Sequence, residues 1–169
     1  VEVSGDAVQY QANRTPRGWV IELVNNAGVA KKPDQPATVD PLAVARLGSI
    51  VARSGARIVV TSSWRLSRSM RTIEGLLAAH GFSEGIESCT PDLSGAIFMA
   101  DWSLTRSTEI LTWLSCAPVP VERFVVLDDG DLEDLTPHQV RTTFERGLLD
   151  EHVEQAITML ADDSPPRDG

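Results

Sequence analysis

Two adjacent carboxylates, Asp128 and Asp129, follow the apolar run "RFVVL" (123–127). Held at the end of a buried strand, their charges repel, so the pair needs a cation or a proton to offset it. An oxygen-only donor set suits Mg²⁺, which takes one or two carboxylates and keeps several waters. A second strand-like run, "RIVV" (57–60), ends on Thr61-Ser62-Ser63-Trp64-Arg65. Consecutive hydroxyls there can hold a phosphate through O–H and backbone N–H donors, although Ser and Thr are also common helix caps. Arg106, in "TRSTEILTWL", offers a fixed cation that would neutralise a phosphoryl group beside a metal and a hydroxyl cradle. Taken singly, adjacent aspartates read as solvated turn residues and Arg106 as an exposed helix-start side chain. The chemistry rests on the three together.

The elements that must position these residues alternate along the chain. "VEVSGDAVQYQ" (1–11) alternates apolar and polar residues around Ser4-Gly5-Asp6 and predicts a hairpin or edge strand. "GWVIELV" (18–24) is a more apolar strand closed by the turn-forming "NNAG", and residues 31–38 read as a loop. The helix that follows has Asp40 as N-cap, Pro41 at its first position and Gly55 as its stop, with Val44, Leu47, Ile50 and Val51 on one face. "RIVV" lacks alternation and predicts a strand buried on both faces. A helix is expected over 67–80, ended by Gly81, then a short strand over 85–91 and a helix beginning at Ser103 or Thr105. The strand 123–127, a short strand within 138–143 and a helix over 151–160 capped by Asp150 complete the pattern. Residues 162–169 read as a frayed polar tail. Buried strands separated by helices indicate a parallel sheet covered on both faces. In such sheets ligands sit beyond the carboxyl ends of the strands.

Composition narrows the partners. The 169 residues suit one domain with a proper core, taken as residues 1–161 with 1–17 as a hairpin or extension. With 24 acidic against 15 basic side chains the net charge is −9, which argues against a broad nucleic-acid surface and leaves room only for a local basic patch. No apolar run approaches the roughly 20 residues of a membrane span, and nothing near Val1 resembles a signal peptide. Cys89 and Cys116 are too few and too far apart for a zinc site or disulfide framework, which fits a cytosolic or other reducing intracellular compartment. The three histidines follow no metal-binding spacing.

In this order, the strand-end Thr, the helical Arg and the strand-end acidic pair resemble the haloacid dehalogenase-like (HAD) phosphohydrolase superfamily. The resemblance is closest to the small HAD domain of Swiss-army-knife RNA repair proteins. There a helix like "VDPLAVARLGSIVARSGA" precedes a strand like "RIVVTSSWR". An "R..EI..WL" helix is matched by Arg106, Glu109, Ile110, Trp113 and Leu114, followed by "FVVLDD" and a late Gly147-Leu148. The match covers residues 39 to 160. It implies a Rossmannoid three-layer α/β/α sandwich with a mainly parallel central sheet and no large cap domain. It also implies Mg²⁺-dependent phosphomonoester hydrolysis. Carried over, Thr61 would bind phosphoryl oxygens, Arg106 would stabilise developing charge, and Asp128 would ligate Mg²⁺ with Asp129 as co-ligand or support. Ser62 and Arg65 would meet the substrate, a phosphorylated small molecule or a nucleic-acid end. Arg65, Arg68 and Arg71 recur every third residue and suit either a polyanion or a solvated helix face.

The family's first motif, D-x-D-G-(V/T), is missing. Its first Asp is the nucleophile and its second the general acid/base. Three readings place it. Asn25-Asn26-Ala27-Gly28-Val29 puts Asn25 at the nucleophile and Ala27 at the acid/base, after the more apolar strand and at the better spacing. "VEVSGDAV" puts Ser4 at the nucleophile and keeps Asp6. The third places the motif upstream of Val1, since the chain lacks an initiating Met. The expectation is a phosphatase-type domain that is inactive or weak, a pseudoenzyme that still binds phosphate. An active phosphatase whose nucleophile was lost by truncation and a non-catalytic phosphate- or protein-binding module are the alternatives.

Overall fold

The structure, a computed structural model, describes residues 19–22, 39–93, 102–143 and 145–161. Within them one parallel sheet is built from β1 (Trp19–Glu22), β2 (Arg57–Val60), β3 (Ser88–Cys89), β4 (Phe124–Asp128) and β5 (Gln139–Arg141), in the spatial order β3-β2-β1-β4-β5. This is the order of a doubly wound α/β sheet that reverses direction between β1 and β4. β1 pairs Trp19 with both Arg57 and Phe124, and Glu22 with both Val60 and Leu127. The strands that end on Thr61 and Asp128 therefore flank β1 in matched register.

The helices are α1 (Pro41–Ser54), α2 (Met70–Ala78), α3 (Trp102–Cys116) and α4 (Asp150–Ala161). α1 has the expected ends: the Asp40 side chain accepts from Leu42 N, and Gly55, at φ 70°, donates to the Val51 carbonyl. Its buried residues are Val44, Leu47, Ile50 and Val51. The helix expected from 67 begins later. Ser69 caps Thr72 N and starts α2 at Met70, while Ser63–Leu66 form a separate 3-10 turn capped by Ser62. Ser62 and Ser69 each cap the element that follows, and only Ser69 lies within the run expected to be helical. β3 keeps only two of the seven residues expected to be extended. α3 starts at Trp102, ahead of both proposed starts, and Asp150 is the first residue of α4 rather than its cap. The hairpin around Ser4–Asp6, the loop 31–38 and the tail 162–169 lie outside the described residues. No helix among the described residues is long and apolar enough to cross a membrane.

The buried side chains fall into two clusters, as the alternation of strand residues requires. Ile58, Val60, Val125 and Leu127 pack with Leu47 and Ile50 of α1, Ile73 and Leu77 of α2, and Val153 and Ala156 of α4. Val59 and Val126 pack the other way, with Ile110 and Trp113 of α3 and with Leu132 and Leu135. A fully buried aliphatic side chain contributes about 1.5–3 kcal/mol. The two clusters thus clamp the sheet whose carboxyl edge carries Thr61 and Asp128. α1 and α4 are joined by Arg46, which pairs with Asp150 at 2.7 Å and donates to the Leu148 carbonyl, and by an Arg53–Glu154 pair.

Candidate functional site

Asp128 ends β4, and residues 125 to 128 are all buried. Since Val126 faces α3, alternation turns Asp128 the same way. There Arg106 of α3 approaches it, with Nη1 3.4 Å from Asp128 Oδ2 and both side chains no more than 4% exposed. This exceeds the 2.7–2.9 Å or so of a tight charge-assisted bond. Burial raises the Asp128 carboxyl above its ordinary range, and adjacent Asp129 raises it further; Arg106 and the Gly130 N–H oppose both. Burial likewise lowers the Arg106 guanidinium, with Asp128 opposing. Each charge is buried at a cost that the other only partly offsets.

The loop after β4 is fastened from several sides. Asp128 Oδ1 accepts from Gly130 N at 2.7 Å, and a Cβ on Gly130 would stand 3.3 Å from that same oxygen. Gly130 therefore allows its N–H to close on the carboxylate. The Gln139 amide donates to the Gly130 carbonyl at 2.6 Å and accepts from Leu132 N, and Thr142 N donates to the Asp128 carbonyl. Asp129 is half-buried beside Asp128, and its proximity raises the Asp128 carboxyl. Sequence reading missed Gln139 because its partners are formed by the turn itself.

At the end of β2, Thr61 and Ser62 are both fully buried. The Thr61 hydroxyl has no hydrogen-bond partner among the described residues. Ser62 Oγ accepts from Trp64 N and caps the 3-10 turn. Arg65 departs most from the expectation of a substrate contact. Nε donates to the Thr90 carbonyl, Nη1 to the Thr61 and Ser62 carbonyls, and Nη2 to the Pro91 carbonyl and Glu109 Oε2. A guanidinium has five N–H donors, and these five acceptors use all of them. Arg65 joins the ends of β2 and β3 to α3, leaving no donor for a substrate oxygen. Arg68 lies over the Trp64 ring and Arg71 is exposed, so the three arginines share no single face.

The "R..EI..WL" pattern now has a physical reading. Arg106, Glu109, Ile110 and Trp113 are the buried face of α3, at i, i+3, i+4 and i+7. Glu109 holds Arg65 through one oxygen and accepts from Leu93 N through the other, while Trp113 Nε1 donates to Ser88 Oγ of β3. The i+3 spacing from Arg106 was the signal that could have marked Glu109 as part of the site.

Asn25 and Ala27, and the alternative Ser4 and Asp6, lie outside the described residues. β1, three residues before Asn25, occupies the central position between β2 and β4. Among the described residues no group of three or more His, Cys, Asp or Glu side chains could hold a metal ion.

Residues 22–153 fit the family described as the HAD domain in Swiss Army Knife RNA repair proteins. No curated protein and no solved structure matches the chain.

Proposed function

Since the chain belongs to the family of HAD domains in Swiss Army Knife RNA repair proteins, we propose that it binds a phosphate monoester at the carboxyl edge of the sheet and hydrolyses it weakly or not at all. The observation that carries this reading is the Thr61 hydroxyl, wholly buried and lacking a partner among the described residues. Buried polar groups almost always have a partner, and this one stands at a strand end flanking the central strand. Thr61 donates to a phosphoryl oxygen, and Arg106 supplies the compensating positive charge. The fold in this reading is a Rossmannoid three-layer sandwich formed as one domain over residues 1–161.

The weakness of the chemistry follows from the first motif. The family match begins at Glu22 and takes in Asn25 to Val29, whereas Ser4 and Asp6 fall outside it. This supports Asn25 at the nucleophile position and Ala27 at the acid/base position. A neutral amide is a poor nucleophile, and a methyl group cannot deliver a proton to a leaving oxygen.

The oxygen donors present suit a weakly held Mg²⁺. Asp128 and Asp129 are adjacent, and Asp129 raises the Asp128 carboxyl, an arrangement of repelling carboxylates that a cation would stabilise. Mg²⁺, when bound, would neutralise phosphoryl charge. With no carboxylate at position 25 the donor set is short of a member, and affinity falls accordingly.

The experiment is turnover of a generic phosphomonoester with Mg²⁺ beside an Asp128→Asn control, together with calorimetric binding of inorganic phosphate. Binding without appreciable turnover is expected. Robust turnover abolished by Asp128→Asn would replace this reading with an active phosphatase. Absence of phosphate binding would leave a protein-interaction module.

A further inference from the structure

Thr61 is matched by a second buried hydroxyl in the same condition. Thr90 is 2% exposed, and its Oγ1 also lacks a hydrogen-bond partner among the described residues. We propose that Thr90 is a second hydroxyl of the phosphate cradle, contacting an oxygen of the bound phosphate monoester alongside Thr61. The inference rests on the phosphate-binding reading above and adds a residue to it.

Three observations place the two hydroxyls together. Val60 pairs with Cys89, and Thr90 N donates to the Val60 carbonyl at 3.0 Å, so Thr61 and Thr90 are level on adjacent parallel strands. Such strands run about 4.8 Å apart. The alternation of side chains then settles their direction. Val59 packs with the α3 cluster and Ser88 accepts from Trp113 of α3, whereas Val60 and Cys89 pack on the opposite cluster. Thr61 and Thr90, one residue further on, both turn to the side of α3 and Arg106. Finally, one guanidinium fixes both backbones: Arg65 Nη1 donates to the Thr61 carbonyl and Nε to the Thr90 carbonyl.

The chemistry follows from this placement. A threonine hydroxyl offers one donor and two acceptor lone pairs and rotates to suit its partner. Two of them, held level by a shared arginine whose own donors are all used, present two donors to one anion. Valine has nearly the same shape and would fill either position without leaving a polar atom unsatisfied. A buried hydroxyl retained there calls for a polar partner that the described chain does not supply.

The test is isothermal calorimetry of inorganic phosphate against wild type, Thr90→Val, Thr90→Ser and Thr61→Val, with thermal midpoints measured alongside. Thr90→Val is expected to weaken binding about tenfold, as loss of a hydrogen bond to a charged group does, with a midpoint unchanged or raised. Thr90→Ser keeps the hydroxyl and should bind within about threefold of wild type. Binding weakened by Thr61→Val but untouched by Thr90→Val overturns this inference alone. A Thr90→Val protein that melts lower yet binds normally overturns it too, since the hydroxyl then serves the protein's own backbone. If wild type binds no phosphate, the underlying reading fails and takes this inference with it.

Discussion

Arg65 and Glu109, 44 residues apart in sequence, meet in a buried ion pair with Nη2 2.6 Å from Oε2 and both side chains no more than 6% exposed. Glu109 stands one helical turn from Arg106, and Arg65 donates to the Thr61 carbonyl. The pair therefore sets the position of the α3 cation against the β2 hydroxyl. Removing one member of such a pair leaves an uncompensated buried charge. Glu109→Ala is expected to cost about 3 kcal/mol in urea unfolding. Arg65→Lys should also be costly, since an ammonium has three donors for five acceptors. A loss below about 1 kcal/mol for Glu109→Ala would show that the pair is not held as described.

Mg²⁺ should stabilise the protein only at millimolar concentration. At ten times its dissociation constant a ligand adds about 1.4 kcal/mol, a rise of roughly 2–4 °C per kcal/mol in the thermal midpoint for a chain of this size. Asp128→Asn and Asp129→Asn should each abolish the rise. Persistence of the rise in both variants would place the ion elsewhere.

Restoring the first motif should restore chemistry. The double variant Asn25→Asp/Ala27→Asp is expected to hydrolyse a generic phosphomonoester at least about 10²-fold faster than wild type, the lower end of what acid/base groups contribute. The single Asn25→Asp should fall between the two. A double variant no faster than wild type would show that residues 25–29 do not occupy the motif's place.

His152 gives the fold a pH dependence of its own. Its Nδ1 accepts from Leu149 N at 3.0 Å, which requires a neutral ring. Burial lowers its affinity for a proton below the ordinary value of 6.5, and the nearby Arg146 and Arg46 act in the same direction against Glu151. The folded state then binds fewer protons than the unfolded one. Stability from this group is complete above about pH 6.5 and is lost as pH falls through the lowered folded value. Chemical denaturation between pH 8 and 5 should show the decline. His152→Gln, which keeps an acceptor, should flatten it, and His152→Ala should cost about 1 kcal/mol at pH 8.

Much of the framework was legible because it depends on neighbours in sequence. Asp40, Pro41 and Gly55 bound α1 by local hydrogen bonds, and "RIVV" and "FVVL" mark strands whose ends deliver Thr61 and Asp128. What stayed hidden depends on distant chain. Arg65 reads as one of three regularly spaced cations, yet its acceptors at Thr90, Pro91 and Glu109 come from two later segments. Thr90 carries no local signal at all; it matters only because β3 brings it level with Thr61. The helix expected over 67–80 starts only at Met70 because Ser69 caps it, and the 3-10 turn at 63–66, which buries Trp64, was not anticipated.

The central place of β1 has a consequence for how the molecule is made. Its pairing with β4 joins Trp19 to Phe124 and Glu22 to Leu127. A chain emerging in order from the ribosome can lay β2 against β1 early, but the other edge of β1 stays open until β4 has been synthesised. Contacts of such long sequence separation fold slowly, because loop closure must precede the energy they return. During that interval β1 is an open edge of the nascent sheet, where strand-to-strand aggregation can begin.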